Sequence, residues 1–430
     1  MPQAPQSLAL EPRGPLHAKV EVPGSKSITN RALLLAALAE GESRLLGPLE
    51  SDDTVVMRQA LTALGVDIEV QKDAWRVHGS GGAFSQPGAP LYTENSGTTA
   101  RFLTAAATLV PGPVIVDGNA RMQERPIVHL VEALRSFGAG VEILGRSGCP
   151  PIKVEGGGLP GGRGKIDGSQ SSQYTSAVLL AAPYAQNDLE LTFHDGILVS
   201  RPYVDVTLAI MRTFGAEVEW TELDGLEGIR VKAGRQYCAR EYAIEPDASS
   251  AAYSFCAAAI AGGSVRVSGI PLDSLQADFK ILSLLEAMGC GVLRDGDGVE
   301  VQGPEGRLRS LGEVDMNDFP DAALAYAVVC LFADGPTVIK NIWNLRIKET
   351  DRLVALETEL RKLGARAEAG HDSLLIEPGP LHGAEIDTYD DHRMAMSFSL
   401  AGLRVPGVVI RDPGCVSKTW PGYFEMFEAL

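Results

Sequence analysis

The chain has 430 residues and lacks the marks of several protein classes. Its six cysteines, at 149, 238, 256, 290, 330 and 415, include no CxxC pair. That argues against a zinc site and against a disulfide framework. Reduced cytosolic thiols, buried and inert, are the expectation. His-x-His, HExxH and EF-hand spacings are missing, so no dedicated metal site is expected. The longest apolar run, ALLLAALA at 32–39, is too short to span a bilayer. The opening MPQAPQSLALEPRG carries no charged-then-apolar signal pattern. A cytoplasmic protein with no membrane partner is expected. Positive charge is also scarce: the net charge of −17 argues against a general nucleic-acid partner. A local basic pocket stays open.

What the chain does have is an internal repeat. A Leu-, Phe- or Met-Gly-small tripeptide recurs about every 75 residues, with Gly at 65, 138, 215, 289 and 364. Each follows a helix-like stretch, such as LVEALRSFG, and precedes a strand-like one, such as Val66 to Val70. In the first unit, Ala18 to Val22 alternates like a strand and Pro23-Gly24 turns the chain. Ser25-Lys26-Ser27 then leads into an Ala- and Leu-rich helix. Solenoid repeats run to about 50 residues. A unit of about 75 reads instead as a small βαβαββ fold, repeated six times.

The first helix of each unit opens with polar residues. The starts are GSKSITNR (24–31), ENSGTTAR (94–101), DGSQSSQY (167–174), EPDASSAAY (245–253) and DTYDDHR (387–393), with an acidic sixth, DMNDFPDAA (315–323). A helix N-terminus presents unpaired N–H groups and a positive dipole end. Ser, Thr and Asn there either cap the helix or hold an anion. EPDASSAAY has no cation near it in sequence and reads as structural. GSKS lacks the glycine spacing of a P-loop.

Cations accompany the other starts. Lys26 and Arg31 flank one, Arg101 lies in another, and Arg121 and Arg125 lie in DGNARMQERP. Arg346, Lys348 and Arg352 lie in NIWNLRIKETDR, His392 and Arg393 in DDHR, and Lys418 in CVSKTWP. A cation at a helix start opposes the dipole. Its recurrence points to a shared anionic ligand, which Arg can grip with two parallel hydrogen bonds. Two carboxylates stand among these cations, Asp321 and Glu349. Cations hold a carboxylate ionised; bound anions that offset them would free it to move protons. Asp351 and Asp391 read as partners that orient neighbouring cations.

The motifs PGSKSITNRALLLAAL, NSGTTAR, RMQERPI, DGSQSSQY, SRPYVDVT, DMNDFPDAA, NIWNLRIKETDR, DDHRMAM and CVSKTWPGYF run in order from 23 to 424. Together they resemble the 5-enolpyruvylshikimate-3-phosphate synthase family of enolpyruvyl transferases. The resemblance implies an α/β (α+β) fold of two lobes, each of three βαβαββ repeats, an inside-out α/β barrel. It places one lobe at 23–243, binding shikimate 3-phosphate. The other, discontinuous lobe is 1–22 plus 244–430, carrying the proton-transfer carboxylates, with the active site in the cleft between them. It implies a monomer, no metal and no organic cofactor, with phosphoenolpyruvate and shikimate 3-phosphate as substrates.

Carried over by motif, shikimate 3-phosphate would sit on Lys26, Ser27, Arg31, Ser171, Ser172, Gln173, Ser200 and Tyr203, with Asp321, Asn344 and Lys348. Phosphoenolpyruvate would be gripped by Lys26, Arg125, Arg352, Arg393 and Lys418, near Asn95, Gly97 and Gln173. Asp321 would take the proton of the 5-hydroxyl, and Glu349 would give a proton to C3 and later remove one. Lys26 completes the catalytic set. The chain departs from the family at Glu94, where Gly is usual, and at Ala100 and Phe102, where Met and Pro are common. A carboxylate at 94 would repel phosphoenolpyruvate if it faced inward, so it is expected to face out. Gly97 is retained, and inhibition by millimolar glyphosate is expected.

Two rivals fit less well. A transferase acting on UDP-N-acetylglucosamine would lack the SSQ and KETDR motifs found here, and no Cys lies in the 119–126 loop. A DNA sliding clamp is acidic and sixfold repeated, but needs basic helix faces lining a hole. Here the cations cluster at helix starts and in loops.

Overall fold

Glycine punctuates each repeat for a geometric reason. In a computed structural model that describes residues 6–430, Gly65, Gly138, Gly215, Gly289 and Gly364 have φ between 86° and 105°. Each ends the second helix of its repeat. The residue after each glycine donates its N–H to a carbonyl five positions back: Val66 to Leu61, Ala139 to Leu134, Ala216 to Met211, Cys290 to Leu285, and Ala365 to Leu360. This is the Schellman closure, whose left-handed residue disfavours a Cβ.

The helices are α1 (Lys26–Leu38), α2 (Asp52–Ala63), α3 (Gly97–Ala106), α4 (Val128–Ser136), α5 (Ser172–Ala181) and α6 (Arg201–Thr213). They continue with α7 (Ala248–Ala261), α8 (Ile281–Ala287), α9 (Ala323–Cys330), α10 (Arg352–Lys362), α11 (His392–Gly402) and α12 (Tyr423–Glu428). No helix among the described residues is long and apolar enough to cross a membrane. The chain divides into two units: Gly24–Ile244, and the residues up to Pro23 joined to Glu245–Leu430.

Within Gly24–Ile244, α1, α3 and α5 touch one another. From Ile28 to Leu38 every residue of α1 is buried, as is the whole of α3 and all of α5 except Gln173. A helix apolar on every side has no face for solvent and becomes core. By contrast α4 is amphipathic: it buries Leu130, Val131, Ala133 and Leu134 and exposes Glu132 and Arg135. The second unit repeats the plan with α7, α9 and α11, all mutually in contact and buried except at Ser249. Each unit is thus three buried helices with sheets around them. Most polar residues of these helices fall at their starts, the ends that remain available to a ligand.

Four of the buried helices, α3, α5, α9 and α11, are each the crossover between two parallel strands of one sheet, whereas α1 and α7 link strands of different sheets. In one repeat Leu91–Tyr92 pairs parallel with Val114–Asp117, which pairs antiparallel with Ile152–Val154, and that with Val141–Ile143. Among the described residues, five sheets have four strands in this order. The sixth has three: Glu385–Ile386, Val409–Arg411, and Ser7–Ala9 antiparallel to the latter. The sixth repeat therefore falls short of a full βαβαββ unit, and an N-terminal strand completes it.

A second difference concerns the first repeat. Its expected opening strand, observed at Leu16–Val20, does not join the sheet that follows it. It pairs parallel with Gly263–Ser268. The vacant edge beside Glu40–Leu46 is taken by Glu241–Ala243. Both strands satisfy the same backbone requirement, an edge beside a parallel neighbour, so local sequence does not distinguish them.

Candidate active site

In the unit Gly24–Ile244 the starts of α1, α3 and α5 carry the predicted anion-binding residues. Two of these starts lack a capping side chain: neither Ser25 before α1 nor Ser96 before α3 bonds a helix N–H. Ser171 does cap α5, accepting from the N–H of Gln173 at 3.3 Å. Uncapped N–H groups favour an anion.

The cations around these starts are held by neighbours. Lys26 Nζ lies 3.0 Å from the buried carboxylate of Asp53, at the start of α2. Arg31, 2% exposed, donates from Nε to Thr207 at 2.7 Å, from Nη1 to the Ser27 carbonyl at 2.9 Å, and from Nη2 to Ser176 and the Tyr203 carbonyl. The ring of Phe102 lies 5.2 Å from its guanidinium. Burial pushes Arg31 down to about 10, partly offset by Tyr203. A buried cation held by neutral acceptors is suited to an anionic ligand. Tyr203 is half-buried and Ser172 buried. Ser200 is buried with a left-handed backbone, φ 52°.

Gln173 joins two helix starts: its amide donates to Thr98 at 3.1 Å and its carbonyl accepts from Arg101 at 3.0 Å. Arg125 donates to both the backbone and side-chain oxygens of Asn95, at 3.1 and 3.0 Å. A Cβ on Gly97 would stand 2.2 Å from Arg101 and 2.6 Å from Arg125. The glycine lets two guanidinium groups approach the start of α3. Glu94 is exposed.

The other unit holds a dense charge network around Arg352, whose side chain is 1% exposed. It grips Asp391 through Nε at 2.7 Å and Nη2 at 3.0 Å. It also reaches Glu349 at 2.9 Å and Asp321 at 3.1 Å. Burial opposes its charge, but Asp391, Glu349 and Asp321 together outweigh burial and hold it above its ordinary range. Arg393 lies 3.1 Å and Lys348 3.5 Å from Asp321. Burial alone would raise the Asp321 carboxyl. Arg393, Lys348 and Arg352 overcome that, against Glu349, and hold it far below the carboxylate range. Asn344 is buried, and Lys418 is half-buried at the end of the Pro413–Lys418 turn.

Several residues differ from their sequence reading. EPDASSAAY is not remote from cations: Arg393 donates to Ser249 at 3.2 Å and approaches the Tyr253 hydroxyl at 3.5 Å. The cation comes from a different repeat, so no local spacing announced it. Asp247 does cap its helix, accepting from Ser250 at 2.7 Å. Arg346 is engaged elsewhere, by Asp351 at 2.8 Å and by the carbonyls of Gly370 and His371. Arg121 pairs with Glu124 at 2.9 Å. Cys238 is exposed, against the expectation that all six thiols are buried. Sequence reasoning passed over Asp53, Ser176 and Thr207. Helix spacing offered a signal for two of them: Ser176 lies four residues after Ser172, and Thr207 four after Tyr203.

The family model described as EPSP synthase (3-phosphoshikimate 1-carboxyvinyltransferase) matches residues 10–427. A 3-phosphoshikimate 1-carboxyvinyltransferase of Sulfurovum sp. (strain NBC37-1) is 47% identical over 429 residues, 99% of each chain. One of Photorhabdus laumondii is 47% identical over 430 residues, again 99% of each. The solved structure of EPSP synthase from Acinetobacter baumannii superposes with a TM-score of 0.80 at 28% identity, covering 99% of this chain and 98% of that one. The enolpyruvyl transferase NikO from Streptomyces tendae shares the fold, with a TM-score of 0.77 at 19% identity, over 99% of this chain and 97% of that one.

Proposed function

The chain belongs to the EPSP synthase family, and from that premise we propose how its residues carry the reaction. It is a transferase that moves the enolpyruvyl group of phosphoenolpyruvate to the 5-hydroxyl of shikimate 3-phosphate and releases phosphate. The product feeds the shikimate pathway to chorismate and aromatic amino acids. It works as a cytoplasmic monomer on two small anionic substrates, with no nucleic acid and no membrane.

The hydroxyl oxygen attacks C2 of phosphoenolpyruvate while C3 gains a proton. The tetrahedral adduct then expels phosphate as C3 loses a proton, restoring the double bond. Asp321 accepts the hydroxyl proton, and Glu349 gives and later removes the proton at C3. The observation that supports this most is one arginine, Arg352, bonded to both carboxylates. In the free protein three cations hold Asp321 ionised and weakly basic. Phosphoenolpyruvate brings a carboxylate and a phosphate that compete for Arg352, Arg393 and Lys418. Turning Arg352 and Arg393 to the ligand raises the basicity of Asp321 when a base is needed.

Shikimate 3-phosphate rests on Ser27, Arg31, Ser171, Ser172, Gln173, Ser200 and Tyr203, with Asn344 and Lys348. Lys26, Arg125 and the backbone near Asn95 and Gly97 take phosphoenolpyruvate. The same cations stabilise charge that builds up on the adduct.

Phosphate release from phosphoenolpyruvate tests this, with shikimate 3-phosphate or UDP-N-acetylglucosamine as acceptor and Glu349→Gln beside the wild type. Release with shikimate 3-phosphate alone, lost in the variant, is expected. Full activity in the variant would remove Glu349 from proton transfer.

A further inference from the structure

Glu359 is a carboxylate that the reaction does not use, and its side chain is fully buried. A carboxylate in that position needs strong partners. It has three. Lys362 Nζ lies at 2.8 Å, the Tyr389 hydroxyl donates at 2.6 Å, and the backbone N–H of Asp387 donates at 3.2 Å. Two of these come from the loop that leads into α11. Lys362 also reaches Asp387 at 2.7 Å.

That loop has an unusual backbone. Thr388 to Asp391 form a turn closed by the Asp391 N–H on the Thr388 carbonyl at 2.9 Å. Both central residues, Tyr389 and Asp390, are left-handed, with φ 56° and 54°. Such a turn favours Gly, Asn or Asp; Asp390 suits its place, but Tyr389 does not. Something outside the turn has to hold it. Glu359 does so from α10, through the Tyr389 hydroxyl and the Asp387 N–H.

The turn delivers Asp391. One oxygen of Asp391 caps α11 at the N–H of Arg393, 2.9 Å away, and the carboxylate grips Arg352. Arg352 and Glu359 are seven residues apart on α10, so they share one helix face. The face touches the loop twice: Arg352 at the end of the turn and Glu359 at its centre. Shifting the centre would rotate Asp391, and with it the two arginines.

We infer that Glu359 and Tyr389 are positioning residues that set the angle of the 388–391 turn and thereby aim Arg352 and Arg393. This rests on the reading that those arginines bind phosphoenolpyruvate.

The test uses full-length Tyr389→Phe and Glu359→Gln, with Arg352→Lys and Arg393→Lys to assign arginine signals. The arginine Nε–H resonances of the folded enzyme and the KM for each substrate are measured well below the unfolding midpoint. Both variants should move the Arg352 and Arg393 resonances. The KM for phosphoenolpyruvate should rise roughly two- to tenfold, the scale of one hydrogen bond, with the KM for shikimate 3-phosphate and kcat little changed. The double variant should be no worse than the worse single one, because both act through one contact. Unmoved arginine resonances, with a lower unfolding midpoint alone, would overturn the inference and leave a structural contact. Moved resonances with an unchanged phosphoenolpyruvate KM would uphold the clamp and overturn the assignment of the arginines to that substrate.

Discussion

Glu94 sits with φ 48° in the segment leading into α3. A left-handed backbone costs a side chain with a Cβ about 1–2 kcal/mol. The family's usual glycine at this place thus has a conformational reason, separate from any ligand. Glu94→Gly should raise stability by about 1 kcal/mol, read as a higher midpoint in thermal or urea unfolding. An unchanged or lower midpoint would count against the strain. Asp321 makes a different prediction. Its folded carboxyl lies far below the ordinary range, because three cations outweigh burial. A depressed carboxyl contributes stability that is complete above its unfolded value, about 4, and is lost as pH falls through the folded value. The gap in unfolding midpoint between wild type and Asp321→Asn should therefore stay constant from about pH 5 to 8 and narrow in stronger acid. A gap that widens as pH falls would have the wrong sign. Turnover of the variant should drop at least about 100-fold.

Helix α1 shows how an element can place chemistry from its far end. Gly79, in the strand Ala74–Ser80, passes close to the last turn of α1. A Cβ there would stand 2.2 Å from the Ala39 carbonyl oxygen and 2.5 Å from that of Ala36. Neither atom can swing aside, so Gly79→Ala has to push strand and helix apart, at about 1–3 kcal/mol. A lower unfolding midpoint is expected, together with a higher KM for shikimate 3-phosphate, because Ser27 and Arg31 ride on the same rigid helix. A loss of stability without any KM change would separate the two ends. Much of this was legible in advance. ALLLAALA read as a helix because Ala and Leu favour one; its lack of a polar face accounts for the burial found in the structure. The five glycines stood out because each closes a Schellman turn. What stayed hidden was pairing across repeats. Ser249 looked isolated until Arg393, 144 residues away, proved to be its neighbour. Nothing within α10 announces that Glu359 finds partners on another loop.

At the scale of the molecule the two units differ in how the chain supplies them. Gly24–Ile244 is a single uninterrupted segment, with Glu241–Ala243 closing its first sheet. The other unit borrows Leu16–Val20 and Ser7–Ala9 from the far terminus. A fragment of residues 24–244 should therefore fold alone, with cooperative unfolding and native-like circular dichroism. A fragment of residues 245–430 should not, until residues 1–23 are added as a peptide. Cooperative unfolding of the second fragment by itself would show that the borrowed strands are dispensable. The same arrangement bears on synthesis. Leu16–Val20 leaves the ribosome well before its partner strand, which begins at Gly263. At about 5–20 residues per second, an alternating strand waits on the order of 10–50 s for its neighbour, while the whole of the other unit is made and can fold beside it. Ser7–Ala9 waits longer still, since its partner Val409–Arg411 is translated after Gly263–Ser268. Strands made before the whole of Gly24–Ile244 thus find their place only after it, and they spend that interval as unpaired edges within reach of chaperones and of other nascent chains.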